Sequence, residues 1–379
     1  MSPSLAYALM WVGFAAYLGV LAAAPRLGRG FVWGAIAVAV AAFAVAPVLL
    51  SHDVYSYVDY ARLGVVHGLD PYVHPPSAAP ADPAFARVAW PDTTSAYGPL
   101  FTLVTYPLSW LPVDVAVAAL KALAAASVLG LAALVARLAP ARGVDPLRAA
   151  AFVALNPLVL VHVVGGAHND GLAMLLAMAG VAAILVAREY SGAAALVAAG
   201  AVKASTLVVF PFAFLATFRR NSCLHAFDSY DMPNACRSKR LLAGGAVALA
   251  AIAALGYTTF GWDWLGSIGL AGENQSRTSY MSIPITTARL TGIDPNAIRV
   301  AALVLYAAFV TYLLVRTWRG ADWIEAAAWA SLALLLATSW LLPWYLIWTL
   351  PLIALSRNHK LQILVLTLTA YQLGARIPL

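Results

Sequence analysis

Long apolar runs broken by short polar stretches recur along the chain, near 5–23, 31–50, 113–136, 149–166, 171–187, 190–218, 241–260, 298–316, 323–342, 344–356 and 361–378. About 20 apolar residues in a helix cross a ~30 Å hydrocarbon core. The runs are continuous rather than alternating, which excludes a membrane β-barrel. The pattern predicts an all-α polytopic membrane protein. Run 190–218 is too long for one span and too short for two, and Lys203 stands at its middle. It reads as a hairpin of two broken helices that enters and leaves on one side, since irregular backbone at membrane depth needs protein or a water-lined cavity around it. Run 5–23 has no basic stretch before it and no small-residue cleavage signal, so it reads as a retained helix.

Composition points the same way. Hydrophobic residues fill 63% of 379 positions and charged residues only 10%, with a mean hydropathy of +0.82; an ordinary soluble domain carries roughly 25% charged residues. The net charge of +7 is a topology signal rather than a nucleic-acid footprint. If the loop holding Arg26 and Arg29 is cytoplasmic, the alternation of spans puts most of the 23 basic residues on that side and most of the 16 acidic ones on the other. That orientation makes 51–97 and 261–297 long outward loops and 219–240 a polar cytoplasmic connector. No internal repeat is visible, which weighs against transporter folds built from symmetric halves. Cys223 and Cys236 fall in the cytoplasmic connector, where thiols stay reduced. With His225 they offer three zinc ligands at most, so no metal site is expected.

The first outward loop carries the chemistry. Asp53 and Asp59 follow a hydrophobic run directly, and carboxylates at a membrane rim usually mark a cavity or a reaction site. Around them stand Tyr55, Tyr57 and Tyr97, whose hydrogen-bonding edges suit sugars or phosphates. On a helical continuation Asp53 and Tyr57 share a face, whereas Asp59, about 1.7 turns on, points away from Asp53; the two carboxylates do not suit a retaining-glycosidase pair. Asp53 has two readings, a lone general base or a cap for a helix starting at Val54. His168, Asn169 and Asp170 also have two, as sugar-pocket residues on the Asp53 side or as the cap of the next helix. For a leaving phosphate the candidate cations are Lys203, Arg277 and Arg289, with Arg289 favoured for its place near re-entry into the membrane. Trp344 and Tyr345 are expected in the pocket and Trp348 in an interfacial aromatic belt.

Several motifs together resemble one known group: Ser-His-Asp-Val-Tyr-Ser-Tyr at 51–57, Gly-Leu-Asp-Pro-Tyr at 68–72, Tyr-Gly-Pro at 97–99, Asn-Pro at 156–157, Gly-Ala-His-Asn-Asp at 166–170 and Pro-Trp-Tyr-Leu-Ile-Trp at 343–348. In order and spacing they are similar to the polyprenol-phosphate-mannose-dependent α-1,6-mannosyltransferases, integral-membrane glycosyltransferases of the GT-C fold that build the mannan core of actinobacterial lipomannan and lipoarabinomannan. The resemblance implies a single GT-C-like transmembrane domain over 1–379, a bundle of about 11–13 transmembrane helices in the plasma membrane with its active site outside. It implies a polyprenyl-phosphate-mannose donor, a glycan or lipoglycan acceptor, Asp53 as the base, inversion at the anomeric carbon, and no cofactor or metal. A lipid-linked sugar transporter or flippase, or an enzyme using another polyprenyl-phosphate sugar, stands as the alternative.

Overall fold

The structure, a computed structural model, describes residues 3–220, 237–274 and 277–375. All regular structure among them is helical. Cys223, His225 and Cys236 lie outside the described residues.

Helices α1 (Pro3–Ala23) and α2 (Arg29–Val45) lead into α3 (Asp53–Val65), a loop with short 3-10 turns, and α4 (Pro99–Thr105). Helix α5 (Val113–Leu138) is the spine: 26 residues span about 39 Å at 1.5 Å per residue. Its buried positions Val117, Leu120, Ala124, Val128, Leu131 and Val135 recur at three and four, the apolar stripe of a helix packed along its length. One end of that stripe meets Val54, Tyr57 and Phe101. The other meets the main core with Leu158, Met178, Ile324 and Leu332.

Helix α6 (Pro146–Ala154) starts where Asp145 accepts the Arg148 N–H at 2.7 Å, with Pro146 at the first helical position. It stops before Asn156-Pro157 because a proline has no N–H to continue the ladder. The chain resumes as a π-helical turn, Val159–Val164. Run 149–166 is therefore two pieces rather than one span. Helices α7 (Asp170–Leu185) and α8 (Glu189–Val202) pack closely; a Cβ at Gly180 would stand 2.8 Å from the Gly192 carbonyl oxygen, so only glycine permits that approach.

Helix α8 ends at Lys203, whose backbone is extended, and a 3-10 segment, Ala204–Val209, turns the chain into α9 (Phe210–Arg220). Leu207 lies against Gly200 across the break itself, and α8 and α9 pack little along each other, so the expected break is present while the expected hairpin of two paired half-helices is not. Helix α10 (Arg237–Phe260) packs on α8 and α9. Then come α11 (Gly266–Asn274), α12 (Ile283–Thr291), α13 (Pro295–Trp318), α14 (Trp323–Ala337), α15 (Leu350–Ala354) and α16 (His359–Ala375). Ser282, Asp294 and Asp322 cap α12, α13 and α14.

By length and composition α5, α10 and α13 are long and apolar enough to cross a membrane, and shorter apolar helices accompany them. Only 6% of the apolar window of α13 is buried, which leaves Val300, Leu303, Val304 and Leu305 on the surface. Several of the expected runs are built from shorter pieces. Run 344–356 is a 3-10 segment, Pro343–Trp348, followed by five-residue α15, because Pro343 and Pro351 interrupt the ladder. Run 31–50 stops being helical at Val45.

Candidate functional site

Four chain segments converge at the Asp53 end of the bundle. The first is the start of α3. Ser51 Oγ accepts the Asp53 N–H at 3.3 Å, and Asp53 is the first helical residue. Its carboxylate accepts no backbone N–H, so it does not cap the helix. The second is the turn 165–169 before α7. Its His168 Nδ1 stands 3.8 Å from Asp53 Oδ2.

The third segment is the helix break at Lys203. Lys203 Nζ lies 3.2 Å from Asp170, the first residue of α7. That charge-assisted contact is what fills Asp170, which is fully buried and serves as no side-chain cap. The break is held in place by the Tyr-Gly-Pro segment, since a Cβ at Gly98 would stand 1.9 Å from the Ala201 carbonyl oxygen. The fourth segment is the 3-10 helix Pro343–Trp348. Trp348 Nε1 donates to Asp170 Oδ1 at 2.6 Å, and Trp344 stacks on the His168 ring at 3.8 Å. Tyr345 stacks on Trp348 at 4.0 Å, with Lys203 Nζ 5.4 Å above the Tyr345 ring. An ammonium over aromatic faces is held by the ring quadrupole as well as by the carboxylate.

Two charged groups of this cluster keep real exposure: Asp53, with 18% of its side-chain surface open, and Lys203, with 20%. His168, Asn169 and Asp170 are buried beneath them. Both Asn169 side-chain atoms and both His168 ring nitrogens lack a hydrogen-bond partner among the described residues. Buried polar atoms of that kind are rare unless a ligand or water meets them. A cavity of about 10 Å³, enough for one water, borders His168, Asn169 and Ala167. Burial raises the Asp53 carboxyl above the ordinary range, Lys203 and the Trp90 indole oppose that rise, and Asp170 adds to it. Burial, then Lys203 and His162, hold His168 well below the usual imidazole range, hence neutral.

Tyr57 joins this cluster from α3, edge-on to Tyr97 at 4.7 Å and to Phe101 at 4.9 Å. Arg277 reaches its rim, 4.7 Å over the Trp90 ring and 6.0 Å over Trp340. Three expected residues lie apart from it. Tyr55 faces Arg87, 5.4 Å away. Arg289 lies 3.5 Å over the Tyr280 ring and donates to the Tyr280 carbonyl at 3.3 Å. Asp59 is on the far face of α3, near Asp82, His67 and Arg62.

Trp90 and Trp348 were not foreseen as site residues. Trp348, expected in an interfacial belt, is buried and bonded to Asp170 instead. The fourfold spacing of Trp344 and Trp348 was the available signal, because only an unpaired indole N–H in an apolar run demands a buried acceptor. Among the described residues no group of three or more His, Cys, Asp or Glu is arranged to hold a metal ion.

Residues 2–219, more than half of the chain, match the family model described as alpha-(1->6)-mannopyranosyltransferase, N-terminal domain. The chain is 30% identical over 334 residues to a protein of Mycobacterium tuberculosis named alpha-(1->6)-mannopyranosyltransferase A, covering 82% of this chain and 63% of the relative. A Corynebacterium glutamicum protein of the same name is 30% identical over 169 residues, 43% of this chain and 34% of the relative. The chain thus spans less than two thirds of the length of these relatives. No solved structure matches it. The matched stretch contains Asp53, His168, Asp170 and Lys203, and on the extent of that match the chain belongs to the alpha-(1->6)-mannopyranosyltransferase family.

Proposed function

We propose that this protein is a multi-pass membrane mannosyltransferase that moves a mannosyl residue from polyprenyl-phosphate-mannose to a mannan or lipoglycan acceptor, forming an α-1,6 linkage with inversion. The observation that carries the reading is the pairing of one open carboxylate with one open ammonium at the same end of the bundle. Asp53 lies 3.8 Å from the neutral His168, and Lys203 is held at 3.2 Å by a buried aspartate. Family membership names the chemistry such a pair suits.

In this mechanism Asp53 takes the proton of the acceptor hydroxyl as its oxygen attacks the anomeric carbon from the face opposite the phosphate. The bond from that carbon to the phosphate oxygen breaks, and its electron pair leaves on the polyprenyl phosphate. A β-linked donor becomes an α-glycoside. Lys203 meets the departing anion, with Asp170 and the Trp348 indole fixing the lysine's place. Asn169, Tyr57, Tyr97, Trp344 and Tyr345 contact the sugar or the first isoprene units, and Arg277 closes the rim. The reaction needs no metal or organic cofactor, because the phosphate is already a good leaving group.

The Asp53 end faces the extracytoplasmic side of the plasma membrane, following the distribution of basic residues. Membranes containing the protein, supplied with labelled polyprenyl-phosphate-mannose and a short α-mannoside, should yield an acceptor one mannose longer, its linkage read by methylation analysis. Label that crosses the membrane with no glycan extended would replace the transferase with a flippase. For the orientation, a cysteine placed at Ser77 should react with an impermeant thiol reagent from outside while Cys223 and Cys236 do not; the reverse pattern would invert the site.

A further inference from the structure

At the end of the bundle away from Asp53, a cavity of about 320 Å³ opens between the turn 143–145, the start of α6 and the segment joining α15 to α16. Its polar lining is cationic on balance: Arg148 and Arg357, with His359 and Gln362, against one carboxylate, Asp145. The carboxylates nearby are engaged. Asp322 pairs with Arg142, Glu325 accepts from Ser356 at 3.1 Å and from Asn358 at 2.8 Å, and Asp145 caps α6 through the Arg148 N–H. Neither Arg148 nor Arg357 has a carboxylate within ion-pair distance among the described residues.

The two guanidinium groups are also placed. Arg148 Nη2 donates to Gln362 Oε1 at 3.2 Å, tying α6 to α16. Arg357 lies over Gly143, which has φ 65°; a Cβ there would stand 3.6 Å from the arginine's Cδ and Nη1. Two helix N-termini, of α6 and α16, border the same space and add positive partial charge. Beside the polar groups stand Pro25, Phe152 and Ala354, an apolar wall next to a cationic one.

We propose that this cavity binds a phosphate-bearing anion, the headgroup of an anionic phospholipid or a soluble phosphate, held between Arg148 and Arg357. Arginine forks match phosphate oxygens in pairs, and basic pockets between helices at a membrane surface suit anionic headgroups. The site is separate from Asp53 and independent of the transferase reading.

The full chain purified in detergent tests it in two arms. Native mass spectrometry with phosphatidylglycerol, and with phosphatidylcholine as the neutral comparison, reads the lipid source; calorimetry with inorganic phosphate reads the soluble one. Wild-type protein should retain phosphatidylglycerol over phosphatidylcholine, or bind phosphate. Arg357→Gln, at an exposed position outside the core, should weaken whichever ligand binds by about tenfold or more. Arg148→Gln should do the same, and Arg319→Gln, the same charge change elsewhere, should not. Mannosyl transfer by Arg357→Gln should match wild type, which separates this cavity from the Lys203 site. Binding of neither probe, or wild-type affinity in both cavity variants, overturns the proposal.

Discussion

Asp53 and Asp59 stand six residues apart on one short helix, and their surroundings differ in kind. Asp53 opens onto a cluster shared by four chain segments, with a lysine and an indole opposing the effect of its burial. Asp59 is 1% exposed and neither of its oxygens has a hydrogen-bond partner among the described residues. Burial pushes its carboxyl up to about 7, with Asp82 adding and His67 and Arg62 opposing. Asp82, its neighbour, is the reverse case. Burial pushes it up too, but Arg62 bonds both oxygens at 2.9 Å and His67 reaches it at 2.7 Å, so its carboxyl is held below the ordinary range. One helix therefore carries a chemically open carboxylate on one face and a structural charge group on the other. A carboxylate's role follows from the cations that reach it, not from its place in the motif.

The largest effect should separate the two aspartates outright. Asp53→Asn should lower transfer by on the order of 10²–10⁴-fold, the range of a lost general base, while thermal stability stays near wild type because Asn tolerates a helix start well. Since ionised Asp53 is the active form and burial raises its pKa, the acid limb of the wild-type pH profile should lie above the ordinary carboxylate range. Turnover near wild type in the variant would leave Asp53 without a catalytic role.

On the other face, Asp82→Ala should cost about 3 kcal/mol of stability by leaving the Arg62 guanidinium without its carboxylate. The folded fraction should keep its specific activity. Because the Asp82 pKa is depressed, its contribution is present above roughly pH 4 and fades as pH falls further. Denaturation of both proteins at pH 7 and pH 3 checks this; an equal difference at the two pH values would contradict the ion-pair account.

Lys203→Met should reduce kcat/KM for the donor by roughly 10–150-fold, the value of a charge-assisted hydrogen bond of about 1.5–3 kcal/mol. Arg289→Ala should leave donor kinetics unchanged, since Tyr280 holds that guanidinium. If Arg289→Ala is the damaging variant, the phosphate sits against the second outward loop rather than the helix break.

The smallest effect has the opposite sign. Asp59→Asn should stabilise the protein at pH 8 by on the order of 2 kcal/mol and by little near pH 3, where the native aspartate is protonated in the folded chain and mostly so in the unfolded one. A folded pKa raised to about 7 means stability falls as pH rises from roughly 4 to 7. Thermal melts at the two pH values decide it, and a loss of stability at pH 8 would show that Asp59 holds a partner of its own.

By itself the sequence determined the helical class, the break at Lys203 and the family. Apolar periodicity and length are local properties, and a lysine inside an apolar run must be accommodated wherever the fold places it. Motif order carried the family because Asp53, the 166–170 turn and the Pro-Trp-Tyr run occur in readable succession. Tertiary structure alone decided which charges meet. Asp170 and Lys203 are 33 positions apart and Asp170 and Trp348 are 178 apart, so no spacing rule pairs them. It also decided that Arg289 turns to Tyr280 and that Trp348 leaves the interface for Asp170. Those outcomes depend on how α3, α7, α8 and the Pro343–Trp348 segment pack, and packing is a property of the assembled core rather than of any one segment.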